Sequence, residues 1–167
     1  MEHDVLAGLK VPALITSPTD VARLRREISA MHEYLAQQKL RPTGQPVALP
    51  PKVSLLLDEL ATSNKLNLLD IATRQNLIAF LSDIAKNAPV LHISFATDPP
   101  PAFLEKVVLW LRQNVHSSVL VQVGIQPTIA AGCVVRTTNK YFDLSLRRSF
   151  AKHGTDLIKA LKMTADV

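Results

Sequence analysis

Several kinds of residue are scarce in this 167-residue sequence. It contains one cysteine, Cys133, which excludes an internal disulfide and is typical of a reducing compartment. The five glycines do not form the glycine-rich loop that holds phosphate groups, which argues against a nucleotide-hydrolysing chain. Aromatic residues make up only 5% of the chain, so a nucleic-acid surface built from stacked aromatics is not expected.

Long apolar runs and recognisable catalytic spacings are also lacking. No run approaches the ~18 apolar residues that span a bilayer. The N-terminus carries acidic residues where a secretory signal has basic ones, so we expect no export. The five histidines lack metal-binding spacing, and a thiol–imidazole pair of Cys133 with His92 or His116 is the one catalytic alternative. We expect instead that Cys133 packs inside a strand, and that the chain has no catalytic, cofactor-binding or metal-binding residues.

What is present is the composition of a globular protein with a basic second half. Hydrophobic residues make up 47% of the chain and charged residues 20%, which is too apolar for a disordered protein. Residues 1–87 carry a net charge of +1 and residues 88–167 a net charge of +4. The excess suits an acidic partner, which charge alone does not identify as protein, nucleic acid or lipid, and it equally suits a solvated basic face.

The N-terminal half predicts helices. Val11–Ile15 contains Pro12 and predicts an edge strand or an extended arm. A helix over residues 19–40, capped by Ser17, Thr19 or Asp20, has one apolar stripe. That stripe contains Val21, Leu24, Ile28, Met31, Tyr34 and Leu35. It serves either ordinary packing or contact with a partner or membrane surface, and the mixed charges on its polar side argue against the membrane.

The proline-rich residues 41–51 predict a stiff linker, which gives a first region of residues 1–51. Residues 52–87 predict two further helices. The inward residues of the first are predicted to be Val53, Leu56, Leu57 and Leu60, and those of the second Ile71, Leu77, Ile78, Leu81 and Ile84.

Residues 88–167 predict a small α/β domain, so the whole chain is expected to be α+β. A strand near residues 90–96, a proline-led helix to about His116 and a strand at residues 118–123 form a βαβ unit. The apolar face of its helix is predicted to include Phe103 and Val115, and Trp110 is interpreted as a packing residue or a partner contact. A third strand over Cys133–Arg136, a turn at Thr138-Asn139, a short fourth strand and a helix from Ser145 to Leu161 complete the domain.

The stretch from Ile125 to Arg147 is the most distinctive part of the sequence. Pro127 fixes the backbone where the second strand ends. Gly132 and its small neighbours suit a close approach or sharp turn of the chain. Asp143 and Ser145 are both good caps for the last helix.

This stretch resembles the C-terminal signature of the ATP synthase delta subunit, whose mitochondrial counterpart is the oligomycin-sensitivity-conferring protein. Over residues 88–162 the order of elements also follows that family. The matching residues are Pro127, Ile129, Gly132, Val134, Val135, Arg136, Lys140, Asp143, Ser145 and Arg147. Gln126, Thr128, Ala131 and Thr138-Asn139 depart from the signature, and residues 1–87 contain only three predicted helices where the family has a bundle of six.

The resemblance implies a non-catalytic stator subunit of an F-type ATP synthase. Such a subunit links the alpha and beta subunits of the head to the b subunit of the peripheral stalk, as a monomer within a hetero-oligomeric complex. It works peripherally on the cytoplasmic face of the bacterial plasma membrane, without inserting into it, without nucleic acid and without a cofactor. The residues expected to contact partners are Val21, Leu24, Ile28, Met31, Arg147, Arg148 and Lys152. The alternative is a nucleic-acid-binding or adaptor domain that acts through its basic C-terminal helix.

Overall fold

A computed structural model of the chain describes residues 8–40, 49–129, 131–147 and 153. The N-terminal part contains α1 (Pro18–Leu40), α2 (Leu55–Ser63) and α3 (Ile71–Asn87). The later part contains β1 (Val90–Phe95), α4 (Pro101–Asn114), β2 (Leu120–Ile125), a 3-10 turn (Pro127–Ile129), β3 (Gly132–Arg136) and β4 (Tyr141–Ser145). The predicted α+β class is confirmed.

Each of the three N-terminal helices begins at a capping side chain. At α1, the Asp20 carboxylate accepts from the Ser17 backbone N–H at 2.9 Å, and the Asp20 N–H donates to the Ser17 hydroxyl at 3.2 Å. This reciprocal pair satisfies amides that have no partner inside the helix. Ser54 caps α2 and Asp70 caps α3, where Asp70 accepts from the Thr73 N–H at 3.0 Å. The hydrogen bonds from Thr73 lower the pKa of the Asp70 carboxyl.

The chain divides into two compact units, each made of two separate segments, so the boundary is not a single point near residue 88. The first is Met1–Val90 with Pro101–Val121, and the second is Leu91–Pro100 with Gln122–Val167. Helix α4 therefore groups with the N-terminal helices. The core of the first unit consists of Ile15, Val21, Leu24, Ile28, Leu57, Leu60, Leu77, Phe80, Leu81, Ile84 and Leu120.

Some residues predicted to face the core are exposed instead. Val53 precedes α2, because Ser54 is already its cap, and Ile71 lies at the first position of α3. Near the two ends of the α4 segment, Phe103 and Val115 are also exposed, while Val108 and Leu111 are buried. Val53 and Val115 lie outside the helices, and Ile71 and Phe103 lie in first turns, where the side chains are not covered.

The sheet has four strands in the order β2-β1-β3-β4 and is mixed. Strands β1 and β3 pair antiparallel, with His92 opposite Arg136 and Phe95 opposite Cys133. Strands β3 and β4 also pair antiparallel, with Gly132 opposite Ser145. Strand β4 is thus at one edge of the sheet.

The predicted caps of the last helix need a correction, although Arg147, two residues after Ser145, is helical as expected. Asp143 and Ser145, which were expected to cap it, lie inside β4, where Asp143 pairs with Val134 and Ser145 with Gly132. Strand pairing with β3 therefore replaces the capping role at these positions. Most of the predicted helix, including Arg148, Lys152 and Leu161, falls outside the described residues.

Within the parts of the chain that the structure describes, no helix is both long and apolar enough to cross a membrane. The segment predicted as a strand or arm is neither regular strand nor free arm. Its Ile15 N–H donates to the Pro12 carbonyl at 3.1 Å, which makes a turn, and the Ile15 side chain is fully buried in the core.

Candidate functional site: the motif hairpin

The distinctive stretch of the sequence forms a hairpin of β3 and β4. The loop between the strands is closed by a hydrogen bond from the Thr137 N–H to the Lys140 carbonyl, at 2.8 Å. The Thr137 hydroxyl accepts in turn from the N–H groups of Lys140, at 2.9 Å, and Asn139, at 3.4 Å. The predicted turn at Thr138-Asn139 is confirmed, and a threonine hydroxyl holds it together.

Gly132 is required where the hairpin begins. Its φ of +88° is a backbone conformation that residues with a side chain rarely adopt. A Cβ atom there would clash with the carbonyl oxygen of Leu144 and lie 3.0 Å from the Cα of Ser145. The expectation of a close approach at this glycine is confirmed, and the approaching strand is β4.

The turn that contains Pro127 connects β2 to the hairpin. The Gln126 N–H donates to the Phe95 carbonyl at 2.8 Å, so the end of β2 is tied to the end of β1. The Ile129 N–H donates back to Gln126, and the Ile129 side chain is buried. Pro127 opens this 3-10 turn, a position that suits its fixed φ.

One face of the sheet is apolar from β1 to the edge. Residues that pair directly across antiparallel strands project to the same side. We call Cys133, Val135, Phe142 and Leu144 the hairpin face; Val135 pairs with Phe142, and Cys133 with Leu144. Ile93 and Phe95 of β1, paired with the same β3 residues, continue this face and are buried.

The exposure of this face rises towards the edge strand. Cys133 and Val135 on β3 are half-buried, whereas Phe142 is 47% and Leu144 61% exposed. Leu146, just beyond the strand, is also exposed. Exposed apolar side chains in a continuous group mark a binding surface more often than single ones do. An edge strand also has backbone groups without a second neighbour.

On the other side of the hairpin, Val134 is buried and the residues around it are mostly polar. Arg136 and Tyr141 pair there and are both exposed. Asp143 lies on the same side, and its carboxylate accepts from the Ser145 N–H at 3.0 Å. Exposed basic residues lie around the hairpin, namely Arg136, Lys140 and Arg147. The second unit thus presents an apolar face and a basic rim.

The predicted partner-contact residues of α1 are not on the surface. Val21, Leu24 and Ile28 have no exposed area, and Met31 packs partly buried against the same core. They hold the first unit together, which corrects their assignment as partner contacts and fits the alternative of ordinary packing. Arg147 is exposed, while Arg148 and Lys152 lie outside the described residues.

The structure does not bring Cys133 and His92 together. Cys133 is opposite Phe95, and His92 is opposite Arg136, so the two side chains project to opposite faces of the sheet. Burial raises the pKa of the Cys133 thiol, which reduces the thiolate fraction available for reaction. The His116 ring accepts from the Ser118 N–H at 3.2 Å. Among the residues described, no group of three or more His, Cys, Asp or Glu side chains is placed to hold a metal ion.

Sequence reasoning missed the role of Arg112 in the first unit. Its guanidinium donates to the carbonyls of Val11 at 2.8 Å, Pro12 at 2.7 Å and Ile15 at 2.6 Å. It thereby fastens the segment before α1 to the end of α4. Burial lowers the pKa of Arg112 to about 10, so the group is still charged at neutral pH. No local pattern marks this role, because the acceptors lie about a hundred residues away.

Trp110 lies on α4 with 60% of its side chain exposed, next to exposed Leu109. Of the two interpretations of Trp110, packing or partner contact, the exposure favours contact, since tryptophan is enriched at protein interfaces.

No protein-family model matches the sequence, and a search of curated proteins finds no match.

Proposed function

We propose that this chain is a non-catalytic, delta-like stator subunit of an F-type ATP synthase. It would link the alpha and beta subunits of the catalytic head to the b subunit of the peripheral stalk during proton-driven ATP synthesis. The observation that carries the proposal is the exposed hairpin face, located in the same stretch that resembles the delta-subunit signature. The sequence resemblance suggests the family, and the exposed apolar face is a surface to which a partner could bind.

A stator subunit needs durable interfaces and no reactive group. It must resist the torque that would otherwise turn the head with the rotor, so each contact must bury enough apolar surface to hold. Burial contributes about 25 cal/mol per Å² of apolar area, and stable interfaces bury roughly 1,200–2,000 Å² in total. Phe142 and Leu144 offer such area where it is not used within the chain.

The hairpin is our candidate surface for the b subunit. An amphipathic helix of b would place apolar side chains against the hairpin face and acidic side chains against the basic rim. The rim residues within reach of such a helix are Lys140, in the loop, and Arg147, just beyond β4, because Arg136 lies on the opposite side of the sheet. Opposite charges there would favour one orientation of the helix.

The first unit is our candidate for contact with the head. Because the apolar stripe of α1 is buried, the contact is assigned to exposed apolar residues of α4, chiefly Leu109 and Trp110. As a subunit without a membrane-spanning helix in its described residues, the chain would reach the cytoplasmic face of the membrane through its partners.

The test is affinity capture of the tagged full chain from native membranes, followed by identification of the bound proteins. We expect the alpha, beta and b subunits of the synthase in the eluate. Recovery of nucleic acid alone would favour the nucleic-acid-binding alternative and refute the stator proposal.

A charge-reversed variant tests the basic rim. Arg147→Glu combined with Arg148→Glu should reduce recovery of b and leave the folded state unchanged by circular dichroism. Arg25→Glu with Arg26→Glu, an exposed pair on α1, is the matched control and should retain b. Equal recovery of b with both double variants would place the stalk contact elsewhere.

A further inference from the structure

One row of side chains crosses all four strands on the side of the sheet opposite the hairpin face. His92 of β1 lies opposite Arg136 of β3, and Arg136 lies opposite Tyr141 of β4. Residues that pair directly across strands project to the same side, so these three side chains are neighbours. Strand β2 adds a fourth member, Gln122.

The place of Gln122 follows from the pairing of β1 with β2. These two strands are parallel, because the sheet is mixed and its other two pairs are antiparallel. A Cβ atom at Gly124 would lie 3.2 Å from the Ser94 Oγ, which puts the two residues side by side. Two residues earlier on each strand come Gln122 and His92, which are therefore neighbours on the same side. We call the four residues the polar row: Gln122, His92, Arg136 and Tyr141.

The side chains of the polar row are exposed and not engaged within the chain. All four are exposed, Tyr141 by 64%. In the described part of the chain, none of the four takes part in a side-chain hydrogen bond or an ion pair. The only acidic residue that the strands place on this side is Asp143, in the next row, whose carboxylate accepts from the Ser145 N–H at 3.0 Å. The positive charge of Arg136 is thus available to a partner.

The residue types of the polar row are those that hold single-stranded nucleic acid. Tyrosine and histidine rings stack on unpaired bases, and a guanidinium binds phosphate or stacks on a base. Neighbouring strands lie about 4.8 Å apart, so the rings of His92 and Tyr141, two strands apart, are separated by about 10 Å with Arg136 between them. A base can lie on each ring while the phosphate between the bases contacts the guanidinium.

We propose that the polar row binds a short stretch of single-stranded nucleic acid, with one base on Tyr141, one on His92 and the intervening phosphate at Arg136. Exposed Lys140, just before β4, adds a second positive charge. Two rings are enough for this mode, although the low aromatic content of the chain predicted no stacking surface. The row and the hairpin face are on opposite sides of the sheet, so this binding is independent of the stator role.

The test is fluorescence anisotropy of a labelled ten-nucleotide oligothymidylate, titrated with the purified full chain. We expect saturable binding with a Kd on the order of 10 µM. A DNA duplex of the same length, whose bases are already stacked, and a ten-residue polyglutamate, which has charge without bases, should each bind at least about tenfold more weakly. Equal affinity for the duplex would overturn the stacking on the rings. Equal affinity for polyglutamate would indicate an acidic protein as the partner and overturn the proposal, as would no binding.

Substitutions connect the binding to the row. Tyr141→Leu should weaken oligothymidylate binding by about tenfold, because it removes one stacking ring. Phe142→Leu, which removes an exposed ring from the hairpin face, is the matched control and should leave binding unchanged. Arg136→Met should weaken binding and reduce the salt slope by about 0.7, the value for one phosphate, while Arg25→Met on α1 should change neither. Unchanged affinity in Tyr141→Leu, or equal losses in Tyr141→Leu and Phe142→Leu, would overturn the proposal.

An NMR titration of the wild-type chain gives the same information if a variant does not fold. Oligothymidylate should shift the ring resonances of His92 and Tyr141 and leave those of Phe142 in place. Shifts confined to Phe142, or to residues outside the sheet, would overturn the polar row as the binding site.

Discussion

The apolar stripe of α1, with helical spacing, and the hairpin face, with alternating spacing, are both regular apolar patterns, but they differ in environment. Leu24 on α1 is 0% exposed, and Leu144 on β4 is 61% exposed. The stripe is covered by α3 and α2, which pack against α1 within the first unit. Among the described strands, β4 pairs with β3 alone. A periodic apolar pattern therefore predicts an apolar face. Whether that face packs inside the chain or stays exposed depends on long-range packing.

A leucine-to-alanine substitution, made once in the α1 stripe and once in the hairpin face, should give the largest difference in stability between the two regions. Leu24→Ala should lower the free energy of unfolding by about 2–5 kcal/mol, because it leaves a cavity in a closed core. Leu144→Ala should cost less than about 1 kcal/mol, since most of that side chain is already in water. Urea denaturation measures both. Similar losses would mean that the hairpin face is covered within the chain.

Removing the Arg112 guanidinium should have the next largest effect. Arg112→Met leaves three carbonyl acceptors without their donor, at a cost of about 3 kcal/mol. Arg25→Met, at an exposed position, should change stability by less than about 0.5 kcal/mol. Thermal unfolding compares the two, and a stable Arg112→Met variant would show that the segment before α1 is held by its apolar contacts alone.

At the hairpin, Gly132→Ala should destabilise by about 1–3 kcal/mol, because it forces a side chain into a positive-φ conformation against β4. Gly8→Ala is the control, since a Cβ there meets no atom within 4 Å. Hydrogen exchange should increase mainly in β3 and β4. If the Gly132→Ala protein is as stable as the Gly8→Ala protein, the close approach of the two strands is contradicted.

The smallest expected effect on stability comes from charges on the two faces of β4. Leu144→Lys, on the hairpin face, and Tyr141→Lys, on the opposite face, should each cost about 0.5 kcal/mol or less, because both side chains are mostly exposed. Chemical denaturation measures both variants. A much larger loss for Leu144→Lys would reveal an apolar contact within the chain.

The elements with strong local signals could be predicted from the sequence. The helical period of α1, the cap chemistry of Ser17 and Asp20 and the turn at Thr138-Asn139 are all short-range features, and the structure contains them. The capping roles predicted for Asp143 and Ser145 were wrong, although both residues have the chemistry of caps. Their pairing with β3 is a contact between strands that cap chemistry does not reveal.

The positions of Arg74, which is buried, and Arg112, which is partly buried, could not be predicted for a related reason. Arg74 and Arg112 carry charge, which sequence reasoning assigns to the surface. The acceptors of Arg112 are distant in the chain, and Arg74 is buried by packing between helices. Only the folded arrangement identifies such positions.

The most direct test of the hairpin as the stalk contact is affinity capture from native membranes with the two β4 variants. Leu144→Lys should lose the b subunit, because a charge would be placed in the apolar contact, while Tyr141→Lys should retain it. Both proteins should still fold. Recovery of b with Leu144→Lys at the wild-type level, or capture of no synthase subunit by the wild-type chain, would contradict the account.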